Sequence, residues 1–133
     1  MIDLGVLILR VITGMLMVML HGWGKILGVV GFLSGKEWKF VNVVSSLGFP
    51  VPGLFAILAG VVEFFSSILV ILGILTRVNA GLLSFVMLVA VYYNTKTGAS
   101  YELALIYFVI FLCLILIGGG KYSLDRYFLK KKV

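Results

Sequence analysis

Along this chain, polar positions break the hydrophobic ones into runs the length of membrane crossings rather than of single amphipathic turns. Apolar runs occupy residues 4–21, 51–75, 78–94 and 101–118, and most charged residues lie between or beyond them. The run at 51–75 is the clearest, with one charge, Glu63, near its centre. At ~1.5 Å per residue it extends roughly 37 Å, enough to cross a ~30 Å hydrocarbon core with tilt. Pro52 falls in its first turn, where no backbone donor is required. Ala56, Gly60 and Ser67 share a side with Glu63, so a second helix can approach closely there. Residues 76–79 read as a tight connection. Gly81 and Ser84 give the third run a small face, residues 94–100 form a polar turn, Glu102 opens the fourth run, and Gly118, Gly119 and Gly120 close it.

The segment between the first two runs has a different period. Ser34 and Glu37 match the Ser-x-x-Glu capping box, and Phe40, Val43, Val44 and Leu47 recur at i, i+3, i+4 and i+7, with Lys39, Asn42 and Ser46 off that stripe. This predicts a short amphipathic helix over 35–47, lying at the membrane surface with Trp38 as an anchor. His21, Gly22, Trp23, Gly24 and Lys25 follow the first run and read as its water interface, where an aromatic and a cation are at home.

Composition turns this pattern into a class. Hydrophobic residues make up 62% of the 133 positions and charged residues 12%, and mean hydropathy is +1.23, too apolar for a soluble domain of this size. The expected fold is all-α: an integral membrane four-helix bundle in one domain, with the interfacial helix between the first and second spans. The formal charge of +6 points to anionic lipid headgroups and not to nucleic acid. An even number of spans puts both termini on one side. That side carries Arg77, Lys121, Arg126, Lys130, Lys131 and Lys132 against Lys25, Lys36, Lys39 and Lys96, which favours cytoplasmic termini in the cell membrane. Asp3 and Arg10 argue against a cleaved leader, so the first span is expected to stay in the mature protein. The lone Cys113 forms no intrachain disulfide and reads as packing material.

The candidate chemistry lies in ionisable residues within or beside the spans. A charge at the bilayer centre costs ~2.5–3.5 kcal/mol on insertion scales, so Glu63 should have a partner inside the protein. Arg10 shares a helix edge with Gly14, Met17, His21 and Lys25, and its long side chain makes it the expected partner, by a bidentate pair. Such a pair fits a functional pocket or mere fixing of helix register. His21, Lys25 and Glu102 form a second expected group near the outer end, where imidazole can pass protons and cations can hold an anion or a quinone carbonyl. Plain headgroup contact explains Lys25 taken alone. One histidine and one cysteine leave no haem or metal site, and no phosphate-cradling loop or nucleophile elbow is present.

In order and spacing these residues resemble the DoxX family of small four-helix membrane proteins, related to the membrane subunit DoxD of thiosulfate:quinone oxidoreductase. The likeness runs through Arg10 and Gly14, His21-Gly22 with Lys25, Glu63, Gly73 with Thr76-Arg77, Glu102, and Gly-Gly-Gly-Lys-Tyr-Ser-Leu-Asp at 118–125. Gly119 stands where the family often has proline. The resemblance implies a membrane redox role in which thiosulfate or another reduced sulfur or thiol donor passes electrons to a quinone, with a partner subunit, since no DoxA-like domain is present. Arg10, His21, Lys25, Glu63 and Glu102 are then the ligand-binding or proton-handling candidates. Gly60, Thr76, Arg77, Ser123 and Asp125 are structural polar or turn residues. Quinone is the expected cofactor, and lipids, a redox partner subunit and further copies of the chain are the expected partners. Two alternatives stand beside this: a non-enzymatic scaffold or assembly factor, and translocation of a small anion or proton.

Overall fold

The computed structural model describes residues 1–132, with side chains through residue 128. The side chains of Lys130, Lys131 and Lys132, which enter the charge comparison above, lie outside those described. Every regular element among the described residues is a helix: α1 (Ile2–Leu33), α2 (Lys39–Ser46), α3 (Pro52–Leu72), α4 (Thr76–Thr97), α5 (Glu102–Ile117) and α6 (Leu124–Lys132). Helices α1, α3 and α4 are long and apolar enough to cross a membrane, and α5 is apolar but has only 16 residues.

The distribution of side chains is the reverse of a soluble protein's. Large apolar residues such as Ile8, Ile12, Leu16, Leu58, Phe85 and Leu116 are exposed, whereas Arg10, Thr13, Glu63, Ser66, Ser67 and Asn79 are buried. An apolar exterior around an interior that holds this many polar groups is stable only where the surroundings are themselves apolar. The buried apolar core joins Val6 and Met17 of α1, Val70 of α3, Ala80, Leu83 and Met87 of α4, and Tyr107, Phe111 and Leu114 of α5. Cys113 is exposed and takes no part in this core, contrary to its expected packing role, because its position on α5 turns outward beside buried Leu114.

Helices α1 and α3 run antiparallel along a continuous seam. Gly14 meets Ser67, Gly22 meets Glu63 and Phe64, Lys25 meets Gly60, and Phe32 meets Gly53. Each helix widens into one π turn, at Val18–Gly22 in α1 and Val62–Ser66 in α3. The two turns face each other across the seam, so both helices take up their extra residue at the same level and the pairing above and below stays in register.

This seam overturns the expected end of the first span. The helix does not stop at 21 but continues to Leu33, and of the two glycines that read as an interface Gly22 serves contact while Gly24 has open space beside it. A Cβ on Gly22 would lie 2.8 Å from the Glu63 carbonyl oxygen, and one on Gly28 would collide with the Trp38 indole. The turn between α3 and α4 is residues 73–75 rather than 76–79: Gly73 adopts a left-handed conformation and Thr76 already begins α4. Helix α4 also runs on to Thr97, past the expected end at 94.

The amphipathic helix is Lys39–Ser46, shorter than 35–47, and no capping box forms. The Ser34 hydroxyl donates 2.9 Å to the Val30 carbonyl at the end of α1, which occupies it. Phe40, Val43, Val44 and Leu47 do share one face, and that face lines a cavity over α3 and α4.

Candidate functional site

Two buried charges sit on the seam, and the structure separates them. Arg10, 2% exposed, points toward the ends of α3 and α5. Its Nη1 donates 2.6 Å to the Gly119 carbonyl, and its Nη2 donates 2.9 Å to Tyr122 O and 3.2 Å to Ile71 O. Ile71 lies in the last turn of α3, where carbonyls lack helical partners, so the guanidinium acts as a C-terminal cap from a neighbouring helix. Glu63 lies eight residues before Ile71, roughly 12 Å back along the axis, and the expected Arg10–Glu63 pair does not form.

Thr76, Arg77, Ser123 and Asp125, four of the residues read as structural polar or turn positions, lie at this end of the helices. Asp125 accepts from the backbone N–H groups of Leu75 (2.6 Å) and Thr76 (2.9 Å), capping α4, while its own N–H donates 2.8 Å to Gly73 O. The Ser123 hydroxyl donates to Gly120 O and accepts from Arg126 N at the start of α6. Exposed Arg77 lies over Gly118. A Cβ on Gly119 would lie 2.7 Å from the hydroxyl of Thr76, a buried group with no hydrogen-bond partner among the described residues, so a larger residue has little room there.

Glu63 pairs with Lys25. The carboxylate is 1% exposed and sits in the π turn of α3, where Gly22 of α1 leaves space for the backbone beside it. The Lys25 ammonium lies against Oε2, and neither carboxylate oxygen accepts a hydrogen bond of ordinary geometry among the described residues. The Lys25 stem crosses Gly60, which has no side chain to block it, and the ammonium also stands 4.6 Å from the centre of the Phe40 ring. The result is a buried carboxylate with spare acceptor capacity behind a partly exposed cation.

That cation enters the wall of an apolar cavity of about 570 Å³. Phe40 and Val44 of α2, Phe55 and Ala59 of α3, and Val86 and Tyr93 of α4 form much of the remaining wall. Phe49 and Phe55 pack there as a tilted pair with centroids 5.0 Å apart. None of these lining residues was singled out by its chemistry in the sequence. The available signal was the apolar stripe of α2, which needs a surface to cover.

His21 falls in the π turn of α1 and packs edge-on against buried Tyr107 of α5, centroids 5.5 Å apart. It lies within electrostatic range of both Glu63 and Lys25. Tyr107, absent from the sequence-based candidates, in turn stacks on Phe111 at 6.3 Å. Glu102 does not join this group: it is exposed at the first residue of α5 and makes no ion pair or side-chain hydrogen bond among the described residues.

The expected single constellation is therefore two: an Arg10 knot of main-chain carbonyls, and a Lys25–Glu63 pair with His21 nearby and an apolar cavity in front. A family model described as DoxX matches residues 5–95, a span that includes Arg10, His21, Lys25, Glu63 and Thr76. An uncharacterized protein of Haemophilus influenzae is 32% identical over 132 residues, covering 92% of this chain and 90% of that protein. No solved structure matches. The family model covers more than half of the chain and the relative nearly all of it, so the chain belongs to the DoxX family.

Proposed function

We propose that this DoxX-family protein is a four-span membrane subunit of a quinone-linked redox system, with the quinone headgroup held at Lys25. The observation that carries this reading is the Lys25 ammonium, backed by buried Glu63 and set in the wall of a 570 Å³ apolar cavity. Small-molecule sites are commonly ~300–1,000 Å³, mostly apolar, with a few placed polar groups. The ammonium donates well to a carbonyl oxygen, and Phe40, Phe49, Phe55 and Tyr93 offer flat apolar surface to a ring and tail. A bound quinone supplies two-electron, two-proton redox chemistry. Glu63 and His21 hold and pass the protons, one beside the cation and the other the chain's only side chain with an intrinsic titration near neutrality.

With a single histidine and a single cysteine in the chain, electron delivery is assigned to a partner subunit that oxidises a reduced sulfur or thiol donor. Cytoplasmic termini belong to this reading and are supported by charge: with Lys25 held in an ion pair, the opposing side keeps only Lys36, Lys39 and Lys96.

The test is a titration of the protein in lipid nanodiscs with a short-chain ubiquinone, read as a shift in Tm. Stabilisation is expected for the natural chain and is expected to vanish in Lys25→Gln and in Ala59→Trp, which fills the cavity. Glu63→Gln should retain binding but slow membrane-linked electron transfer. An unchanged Tm on quinone addition, together with full electron transfer in Glu63→Gln, overturns the proposal.

A scaffold role is the second reading, favoured by the Arg10 knot, where a buried charge is spent wholly on holding backbone. A stoichiometric partner pulled from solubilised membranes with no extractable quinone would select it.

A further inference from the structure

At the other end of α3 and α4 lies a second concavity that the quinone reading does not use. It is an open cleft of about 1100 Å³, formed where α3 turns into α4, α5 ends and α6 begins. Its walls combine two kinds of side chain. Leu75, Val78 and Phe128 are apolar and exposed, and Arg77, Lys121 and Arg126 are exposed cations.

The two carboxylates in the wall are already engaged. Asp125 accepts from the backbone of Leu75 and Thr76, and Asp3 accepts from Lys121 N at 3.0 Å. None of the three cations forms an ion pair among the described residues. The cleft therefore has positive charge to spare beside apolar surface. Helix α6, which closes it, is a basic helix with exposed Leu124, Tyr127 and Phe128, the composition of a helix that rests on a lipid surface.

We propose that this cleft binds an anionic phospholipid: Arg77, Lys121 and Arg126 meet the headgroup phosphate, and the apolar rim takes the glycerol and upper acyl chain. Guanidinium groups suit phosphate by bidentate hydrogen bonding. The chain reverses direction here, between α3 and α4, so the cleft stands at the level of headgroups for a helix pair that crosses a bilayer. Charge complementarity, not apolar area alone, selects the anionic lipid over a zwitterionic one. The proposal rests on membrane insertion and is independent of any quinone at Lys25.

The experiment uses the full chain in detergent, titrated with phosphatidylglycerol or phosphatidylcholine of matched acyl length, with bound lipid counted by native mass spectrometry and Tm followed in parallel. Phosphatidylglycerol is expected to bind at least tenfold more tightly and to raise Tm. Lys121→Gln and Arg126→Gln, each at an exposed position, should weaken it about fivefold apiece, the usual effect of one basic residue at an anionic membrane surface. Lys96→Gln, remote from the cleft, should not. Equal binding of the two lipids, or equal behaviour of the cleft variants and Lys96→Gln, overturns the proposal. Displacement of phosphatidylglycerol by an equal concentration of inorganic phosphate also overturns it, since the cleft would then be a site for free anions.

Discussion

Arg10 and Glu63 are both buried on the same antiparallel pair of helices, yet their polar atoms are treated in opposite ways. The guanidinium spends its donors on three main-chain carbonyls from two separate segments, and none of those acceptors belongs to an ionisable side chain. The carboxylate meets one ammonium and keeps unused acceptor capacity in a place closed to water. A fully matched buried charge holds a fold together. A half-matched one, behind a cation that lines a cavity, leaves acceptor capacity unused, which is why the proposed function rests on the Lys25–Glu63 pair and not on Arg10.

If that contrast is right, the largest loss of stability should come from Arg10→Ala. It leaves the carbonyls of Ile71, Gly119 and Tyr122 without their donor, at about 1–3 kcal/mol for each group left unpaired. Thermal unfolding in detergent should show the effect, and Arg10→Lys should recover only part of it, because an ammonium lacks the planar fork that spans these acceptors.

Next comes Lys25→Met, which strands Glu63. Removing one partner of a buried pair typically costs about 3–5 kcal/mol, whereas replacing both is often close to neutral. A double-mutant cycle with Glu63→Gln should therefore restore most of the lost stability while quinone binding stays absent. Failure of the second substitution to rescue would mean that Lys25 acts on the fold by some route other than the pair.

A smaller effect is expected for Asp125→Ala, which removes the cap of α4 at a cost of about 0.5–2 kcal/mol, visible as a modest drop in Tm. It should leave quinone-induced stabilisation intact, since the Arg10 end and the Lys25 end are separate. Smallest of all is Glu102→Gln. Exposed and unpaired among the described residues, it should change neither Tm nor electron transfer beyond error.

The same two charges show how much of the candidate site is legible in the sequence. That Glu63 needs an internal partner follows from its position in a long apolar run, and a partner is there. The partner is Lys25 and not Arg10: both lie on one edge of one helix, and helical periodicity does not say which level of that edge faces Glu63. The glycines of α1 misled for a related reason. Glycine lowers helix propensity, and Gly22 and Gly24 beside Trp23 and Lys25 look like an ending. The backbone of α3, about forty residues further along, is what calls for Gly22, and the Trp38 indole calls for Gly28, whereas Gly24 meets nothing.

Legible in the residues alone is the class: apolar runs of crossing length, an all-helical chain, an acid that must be compensated, and the order of residues that resembles the DoxX family. Those are consequences of composition and local period. Which charge meets which, where the first helix ends, and that the stripe of α2 roofs a cavity emerge only once the helices are packed. Each depends on the level at which two helices meet, and that is set by close backbone contact between segments far apart in the chain.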